Sequence, residues 1–191
     1  MYGVKEANAF PRNVILIGFS GTGKTQVGRK VARLLGWEFV DTDEEIERTA
    51  GRPVRRIFAE EGEPAFRDRE RAQIREGCRG ERRVISTGGG APVDPENRAT
   101  MLSGGAVVCL DAEPSAIYRR LVEDAGNSVA GRPMLAGSDP LDRITALKEE
   151  RRASYASAHH TVATDGLTVE EVARRVVKLV GLARCRTEAP P

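Results

Sequence analysis

The residues with the clearest chemical potential form a glycine-rich stretch that ends in a lysine and a threonine, Gly18-Phe19-Ser20-Gly21-Thr22-Gly23-Lys24-Thr25. The spacing Gly-x-x-x-x-Gly-Lys-Thr is that of the phosphate-binding P-loop, whose successive backbone N–H groups surround phosphate oxygens. Its lysine can reach the β- and γ-phosphates, and its threonine hydroxyl can bind Mg²⁺. We predict that a nucleoside triphosphate is bound by Gly21, Thr22, Gly23, Lys24, Thr25 and Gln26.

The residues on either side of this loop supply the context that the motif requires. Val14-Ile15-Leu16-Ile17 is an apolar, largely β-branched run, which predicts a buried strand. Residues 25–35 place apolar side chains at helical spacing, and the start of such a helix attracts anions. The alternative is a glycine-rich turn with a chance lysine, but it does not explain the flanking strand and helix.

The composition is that of an ordinary globular protein. The chain has 191 residues, of which 40% are hydrophobic and 30% charged, with a formal net charge of +2. The length predicts a single domain, which we place at 13–183 between tails at 1–12 and 184–191. The small net charge and the low aromatic content argue against nucleic-acid binding.

Cysteine usage and hydropathy bear on where the protein works. The three cysteines are widely spaced and form no metal-ligand pattern, which indicates a reducing compartment. No apolar run approaches the roughly 18–20 residues of a membrane span, and residues 1–13 lack the hydrophobic centre of a signal peptide. We therefore expect a cytoplasmic protein that does not enter membranes, and we expect a monomer.

Strand and helix patterns alternate along the chain. Short strand-like runs follow at 37–40, 84–87, 106–110 and 161–164, with helical patterns between them. The alternation predicts an α/β fold, in which helices cover both faces of a parallel sheet and ligands meet the carboxyl ends of its strands. Residues 125–138 lack periodicity, and a loop of that length predicts a lid.

The pattern of apolar residues predicts helix boundaries in two regions of the chain. We predict a short helix over 54–61 that is separate from a longer one over 63–78, and a long helix over 140–158. For the last helix the expected inner face is Leu141, Ile144, Leu147 and Tyr155.

The order of several short motifs resembles that of the shikimate kinases. The P-loop is followed by Asp41-x-Asp43, Phe66-Arg67, Gly88-Gly89-Gly90, Arg132-Pro133 and an arginine four residues before Tyr155. The resemblance extends over about 14–180. It implies a three-layer P-loop fold with a five-stranded parallel sheet in the order 2-3-1-4-5. It also implies ATP- and Mg²⁺-dependent phosphorylation of the 3-hydroxyl of shikimate, a step toward chorismate and the aromatic amino acids.

The two aspartates after the second strand take different roles under this resemblance. Asp43 matches the substrate aspartate, whose carboxylate can accept or orient the hydroxyl proton. The alternative is helix capping, because Thr42-x-x-Glu45 has the form of a capping box. Asp41 matches the position that holds Mg²⁺ through water, and the alternative is a turn residue at a strand end.

Arg67 and Arg151 match the two arginines that grip the substrate carboxylate, for which a planar guanidinium is well shaped. The alternative for Arg67 is an exposed ion pair with Glu63, and for Arg151 a solvated helix face. The family pattern Arg-x-Pro-Leu-Tyr departs at two positions here, where the chain reads Arg-Arg-Ala-Ser-Tyr. The register set by Tyr155 favours Arg151 over Arg152.

The remaining site residues are also carried by the resemblance. Gly88, Gly89 and Gly90 match the substrate loop, where a backbone without side chains can approach a ligand closely. Arg132 matches the arginine of the lid that reaches the phosphates. Arg120 is expected on the adenine face.

Two alternatives to this activity stay open at this point. Another small-metabolite kinase on the same scaffold, such as a gluconate kinase, would keep the P-loop and the lid. A nucleotide-binding regulator without phosphotransfer would be expected to lose Asp43 or Arg132, and both are present.

Overall fold

The computed structural model describes residues 11–124 and 139–182, without the side chains of 124 and 182. The predicted lid at 125–138, with Arg132, lies outside the described residues, as do nearly all residues of the two predicted tails. Arg12, at the edge of the predicted N-terminal tail, donates from its Nε to the carbonyl of Gly80 over 3.2 Å.

A five-stranded parallel sheet in the order β2-β3-β1-β4-β5 forms the centre of the molecule, as predicted. The strands are β1 (Val14–Ile17), β2 (Glu38–Asp41), β3 (Arg83–Ser86), β4 (Ala106–Asp111) and β5 (His160–Ala163). Because all five run in the same direction, the loops that follow them leave the sheet at one edge. The P-loop, Asp41, Asp43 and the triple-glycine loop at 88–90 are therefore brought to that edge.

Helices join consecutive strands and cover both faces of the sheet. They are α1 (Lys24–Leu35), α2 (Thr42–Ala50), α3 (Val54–Arg79), α4 (Pro95–Gly104), α5 (Pro114–Asp124), α6 (Pro140–Tyr155) and α7 (Val169–Leu182), with one 3₁₀ turn at Ala91–Val93. No helix in the described parts of the chain is long and apolar enough to cross a bilayer.

The alternation of side chains along β1 divides the apolar interior into two cores. Ile15 and Ile17 face a core completed by α3, α4, α5 and α6, whereas Val14 and Leu16 face a core completed by α1 and α7. A third, smaller cluster of Ile46, Ile57 and Phe66 joins α2 to α3 away from the sheet.

Three local expectations differ from the structure. The two helices expected at 54–61 and 63–78 form one element with a kink at Gly62, where φ is 84° and ψ is 171°. The helix α6 ends at Tyr155, before the predicted boundary. Leu141, expected on the inner face of α6, is 38% exposed because it lies in the first turn, ahead of the part of α6 that packs on the core. The other expected inner residues, Ile144, Leu147 and Tyr155, are buried.

Candidate active site

The P-loop connects β1 to α1 in the conformation that phosphate binding requires. Gly18, Gly21 and Gly23 have φ values of 137°, 84° and 90°, which side-chain-bearing residues rarely adopt. Gly18 is also constrained by space, because a Cβ atom there would lie 2.2 Å from the carbonyl oxygen of Leu110. The Thr22 hydroxyl donates to the carbonyl of Phe19 over 2.9 Å and closes the turn.

Lys24 lies folded against the loop that it follows. Its ammonium group donates to the carbonyl oxygens of Gly18 and Phe19, both over 2.8 Å. Burial lowers the pKa of this amine to about 8, and the nearby carboxylates of Asp43 and Asp41 oppose that shift. A triphosphate would offer stronger, charged acceptors to the same ammonium group.

Asp41 connects the P-loop helix to the second strand. Its Oδ2 accepts from the Thr25 hydroxyl over 2.8 Å, and its Oδ1 accepts from the backbone N–H of Asp43 over 3.1 Å. Asp41 is therefore the N-cap of α2, and the capping box predicted from Thr42 and Glu45 is wrong. Thr42 is instead the first helical residue, and its hydroxyl is buried without a hydrogen-bond partner among the described residues.

Asp43 lies in the first turn of α2 and points toward the cleft. Burial is the largest cause that raises the pKa of its carboxyl from 3.8 to about 6, with Asp41 and Glu70 adding to the shift and Lys24 opposing it. Its Oδ1 is buried without a hydrogen-bond partner among the described residues. An unsatisfied carboxylate oxygen with a raised pKa is suited to accept a proton from a ligand.

The triple-glycine loop after β3 lies against the P-loop, Asp43 of α2 and Arg67 of α3. A Cβ atom on Gly88 would lie 3.0 Å from the Oδ1 of Asp43, one on Gly89 3.0 Å from the backbone nitrogen of Ser20, and one on Gly90 3.0 Å from both terminal nitrogens of Arg67. The absence of side chains therefore allows the loop to fit between the P-loop, α2 and α3.

Arg67 extends from α3 toward this loop between two acidic partners. It forms the ion pair with Glu63 that was the alternative interpretation of this arginine, at 2.9 Å. It also forms an ion pair with Glu70, at 2.8 Å. Glu70 is almost completely buried, with its Oε1 unpartnered among the described residues, and burial raises the pKa of its carboxyl while Arg67 opposes the shift. Glu70 thereby holds Arg67 at the cleft, a contact that the sequence analysis missed although its i, i+3 spacing was visible.

Arg151 reaches the same loop from α6, on the other side of the cleft. Its guanidinium lies 5.7 Å from the centre of the Phe19 ring in the P-loop, and its Nη1 donates to the carbonyl of Gly89 over 3.5 Å. The hydroxyl of Tyr155, one turn further along α6, donates to the same carbonyl over 2.7 Å. Arg152 instead contacts Glu149 over 3.1 Å and is largely exposed, so the register that favours Arg151 is consistent with the structure.

Arg120 on α5 closes the nucleotide side of the site. Its guanidinium donates to the Thr164 hydroxyl over 2.9 Å and to the Thr164 carbonyl over 3.1 Å, and it approaches the carbonyl of Gly21. The guanidinium therefore lies between the P-loop and the turn after β5, on the side expected for the base of the nucleotide.

One cavity of about 590 Å³ lies over the P-loop. Neither Arg67 nor Arg151 lines it, but both contact the triple-glycine loop that forms part of its wall. Its walls are the P-loop, both aspartates, Gly89, Arg120 and the turn after β5, and Gln26 contributes from the first turn of α1. No cluster of three or more metal-binding side chains occurs among the described residues. Fold and site together define a P-loop kinase that acts on a small molecule.

Comparison with known proteins gives the particular family. The family model described as "Shikimate kinase" matches residues 20–180. Shikimate kinase of Symbiobacterium thermophilum is 44% identical over 87% of this chain and 94% of its own length. The structure of shikimate kinase from Acinetobacter baumannii in complex with shikimate has a TM-score of 0.84 and 33% identity, over 96% of this chain and 97% of that one. The chain belongs to the shikimate kinase family.

A gluconokinase structure bears on the alternative activity. The enzyme from Sinorhizobium meliloti has a TM-score of 0.58 and 20% identity, over 93% of this chain and 96% of that one. At this identity the likeness shows a shared fold alone.

Proposed function

We propose that this member of the shikimate kinase family transfers the γ-phosphoryl group of ATP to the 3-hydroxyl of shikimate in the cleft between the P-loop and the triple-glycine loop. One observation carries the assignment of residues to this activity. The loop at Gly88–Gly90 lies against the P-loop, Asp43 and Arg67, and its central carbonyl accepts from Arg151. A phosphate cradle and a carboxylate base therefore line one cavity, and the two arginines contact the glycine loop that forms part of its wall.

The P-loop side binds and polarises the triphosphate. Backbone N–H groups of the loop and the start of α1 surround the phosphates, and the Lys24 ammonium group leaves the carbonyls of Gly18 and Phe19 to pair with the β- and γ-phosphates. Its charge stabilises the negative charge that spreads over the transferred group. Arg120 contacts the base or the ribose from the other end of the cavity.

Mg²⁺ is the cofactor that these residues fit. The Thr25 hydroxyl and the Asp41 carboxylate already lie 2.8 Å apart, and both are oxygen ligands of the kind that Mg²⁺ prefers. A site with few protein ligands is also what Mg²⁺ uses when phosphates and waters complete its coordination. When bound, the ion would neutralise phosphate charge, and the Thr25 hydroxyl and the Asp41 carboxylate would hold it.

Asp43 acts on the hydroxyl that attacks the phosphorus. Its buried carboxylate accepts the proton of the 3-hydroxyl, or orients that proton, as the hydroxyl oxygen forms a bond to the γ-phosphorus. The bond between that phosphorus and the β–γ bridging oxygen breaks, and ADP leaves with the electron pair. The raised pKa makes Asp43 a stronger base than an exposed aspartate while leaving it ionised at neutral pH.

The two arginines select a substrate that carries a carboxylate. Arg67 and Arg151 approach the triple-glycine loop from α3 and from α6, so a carboxylate between them can accept from both guanidinium groups. Binding at this point orients the ring of the substrate so that one hydroxyl faces Asp43. Arg132 lies outside the described residues, and its role at the phosphates stays a prediction from the resemblance.

We also expect the protein to act as a monomer in the cytoplasm. The cleft described here is formed by a single chain.

A coupled assay of ADP release tests the proposal. The purified protein with Mg-ATP is expected to phosphorylate shikimate, and Arg67→Ala and Arg151→Ala are each expected to lower kcat/KM for shikimate by about 10- to 100-fold, the range for a lost charged hydrogen bond. Arg71→Ala is the matched control, because Arg71 lies one turn further along α3 and pairs with Asp94 over 2.7 Å instead of facing the loop. Turnover of gluconate without turnover of shikimate would contradict the proposal, as would unchanged activity in both arginine variants.

A further inference from the structure

The carbonyl oxygen of Gly89 accepts from two side chains of one helix. The Tyr155 hydroxyl donates to it over 2.7 Å, and the Nη1 of Arg151 donates over 3.5 Å. Arg151 and Tyr155 are four residues apart on α6, so their side chains lie on the same face of the helix. The shorter of the two bonds comes from a residue with no place in the proposed reaction.

Tyr155 is held in place by its packing in the core. Its side chain is 8% exposed and packs in the core that α6 shares with the sheet. Burial raises the pKa of its phenol to about 12, and the adjacent Arg151 opposes that shift. The hydroxyl therefore stays protonated and keeps donating to Gly89 at any pH at which the enzyme works.

Arg151 is constrained on a second side by the P-loop. Its guanidinium lies over the face of Phe19, which is 1% exposed, at 5.7 Å from the ring centre. A Cβ on Gly89 would lie 3.0 Å from the nitrogen of Ser20, so the same glycine also abuts the P-loop. The bond to Gly89 uses the Nη1 of Arg151, and a guanidinium group carries further N–H donors that can bind a ligand.

We propose that Tyr155 is a positioning residue, which fixes the Gly89 carbonyl and through it aims the Arg151 guanidinium at the substrate carboxylate. This inference rests on the proposed function, because it assumes that Arg151 binds that carboxylate. Tyr155 touches neither substrate. Its loss lets Arg151 and the glycine loop sample other arrangements, which weakens shikimate binding while leaving the phosphate cradle and Asp43 in place.

The test is the substitution Tyr155→Phe, which removes only the hydroxyl. Tyr118→Phe is the matched control, because Tyr118 lies on α5 against the same core and takes no part in the site. Initial rates are measured with shikimate and ATP each varied. Tyr155→Phe is expected to raise KM for shikimate by about 3- to 10-fold, the range for one neutral hydrogen bond, with KM for ATP and kcat changed less than about twofold.

A double-mutant cycle distinguishes positioning from a general structural role. In an Arg151→Lys background, Tyr155→Phe is expected to change KM for shikimate less than about twofold, because its effect passes through the guanidinium. Tyr155→Phe keeps the ring that packs in the core, and circular dichroism checks that the variant is folded. Phe19→Leu removes the ring beneath Arg151 and is expected to raise KM for shikimate, which tests separately whether the orientation of this guanidinium matters.

Three outcomes would overturn the inference. They are an unchanged KM for shikimate in Tyr155→Phe, an equal rise in KM for both substrates, and an undiminished effect in the Arg151→Lys background. The failure of the proposed function has a different signature, namely no turnover of shikimate by the unsubstituted protein, and that result also removes the basis of this inference.

Discussion

The nucleotide side and the substrate side of the cleft bind anions by different means. On the nucleotide side, consecutive residues of one loop supply backbone N–H groups, and Lys24 rests on uncharged carbonyls. On the substrate side, side chains from separate helices meet at a glycine loop, and Arg67 rests on the carboxylates of Glu63 and Glu70. The phosphate-binding loop is therefore a property of a short local sequence, whereas the substrate side depends on how three helices pack.

The largest effect is expected from the loss of Lys24, the buried cation of the P-loop. Lys24→Met should lower kcat by about 10³-fold, because a buried cation that stabilises transferring phosphoryl charge is lost. The coupled assay measures the rate, and circular dichroism checks that the variant is folded. Lys30→Met is the control, since Lys30 is also on α1 but pairs with Glu170 of α7. A loss of less than about tenfold would mean that the backbone of the loop acts nearly alone.

The second prediction concerns Asp43, at the junction of the two sides. Asp43→Asn should lower kcat by about 10²-fold, within the usual contribution of a general base. In the unsubstituted enzyme, kcat/KM should fall about tenfold per pH unit below pH 6, because the pKa of about 6 leaves the carboxyl protonated there. The residual kcat/KM of Asp43→Asn should not show this fall below pH 6. Glu45→Gln is the control and should retain the full profile, because Glu45 is on the same helix and pairs with Arg48.

The same shift in pKa has a consequence for stability with a definite sign. The folded protein binds the Asp43 proton more tightly than the unfolded chain, whose pKa is near 3.8, so the stabilisation from that proton is complete below 3.8 and is lost as pH rises through 6. Asp43→Asn should therefore raise Tm at pH 7.5, by about 2–4 °C for each kcal/mol regained. A lower Tm in this variant would contradict the prediction, because it would mean that the ionised Asp43 carboxylate stabilises the folded protein despite its burial.

The smallest effect is expected on the substrate side, from the addition of one methyl group. Gly90 has φ −93° and ψ −13°, which alanine adopts without strain, yet a Cβ there would lie 3.0 Å from both terminal nitrogens of Arg67. Gly90→Ala should therefore fold normally and raise KM for shikimate by about 3- to 10-fold through displacement of the guanidinium. Gly181→Ala on α7 is the control, because nothing lies within 4 Å of the added atom. An equal rise in KM for ATP would contradict the separation of the two sides.

The contrast between a local loop and a site built by helix packing also explains how much of the fold and of the site the sequence could predict. The P-loop, the strand before it and the alternation of elements follow from local patterns, and the predicted strands agree with the structure. The order of the strands came from the resemblance, because alternation alone does not fix which strands are neighbours. The assigned roles of the site residues remain predictions, although the described ones lie around one cleft.

The features that escaped the sequence analysis depend on tertiary packing. Glu70 looks like one of many charges on a helix until α3 is placed against the glycine loop. The choice between Asp41 and Thr42 as the cap of α2 depends on where β2 ends, and helix boundaries are poorly determined by sequence. The contact between Phe19 and Arg151 joins residues that are far apart in the chain, so no local sequence pattern predicts it.

The kink at Gly62 has a consequence for the way this protein tolerates change. Its ψ of 171° at a φ of 84° interrupts the helical winding of α3. The two segments of α3 on either side of Gly62 are held together by packing, because Ile57 before the kink and Phe66 after it belong to one buried cluster. A residue gained or lost between Val54 and Glu61 would displace Ile57 from Phe66, which is the neighbour of Arg67 in the chain.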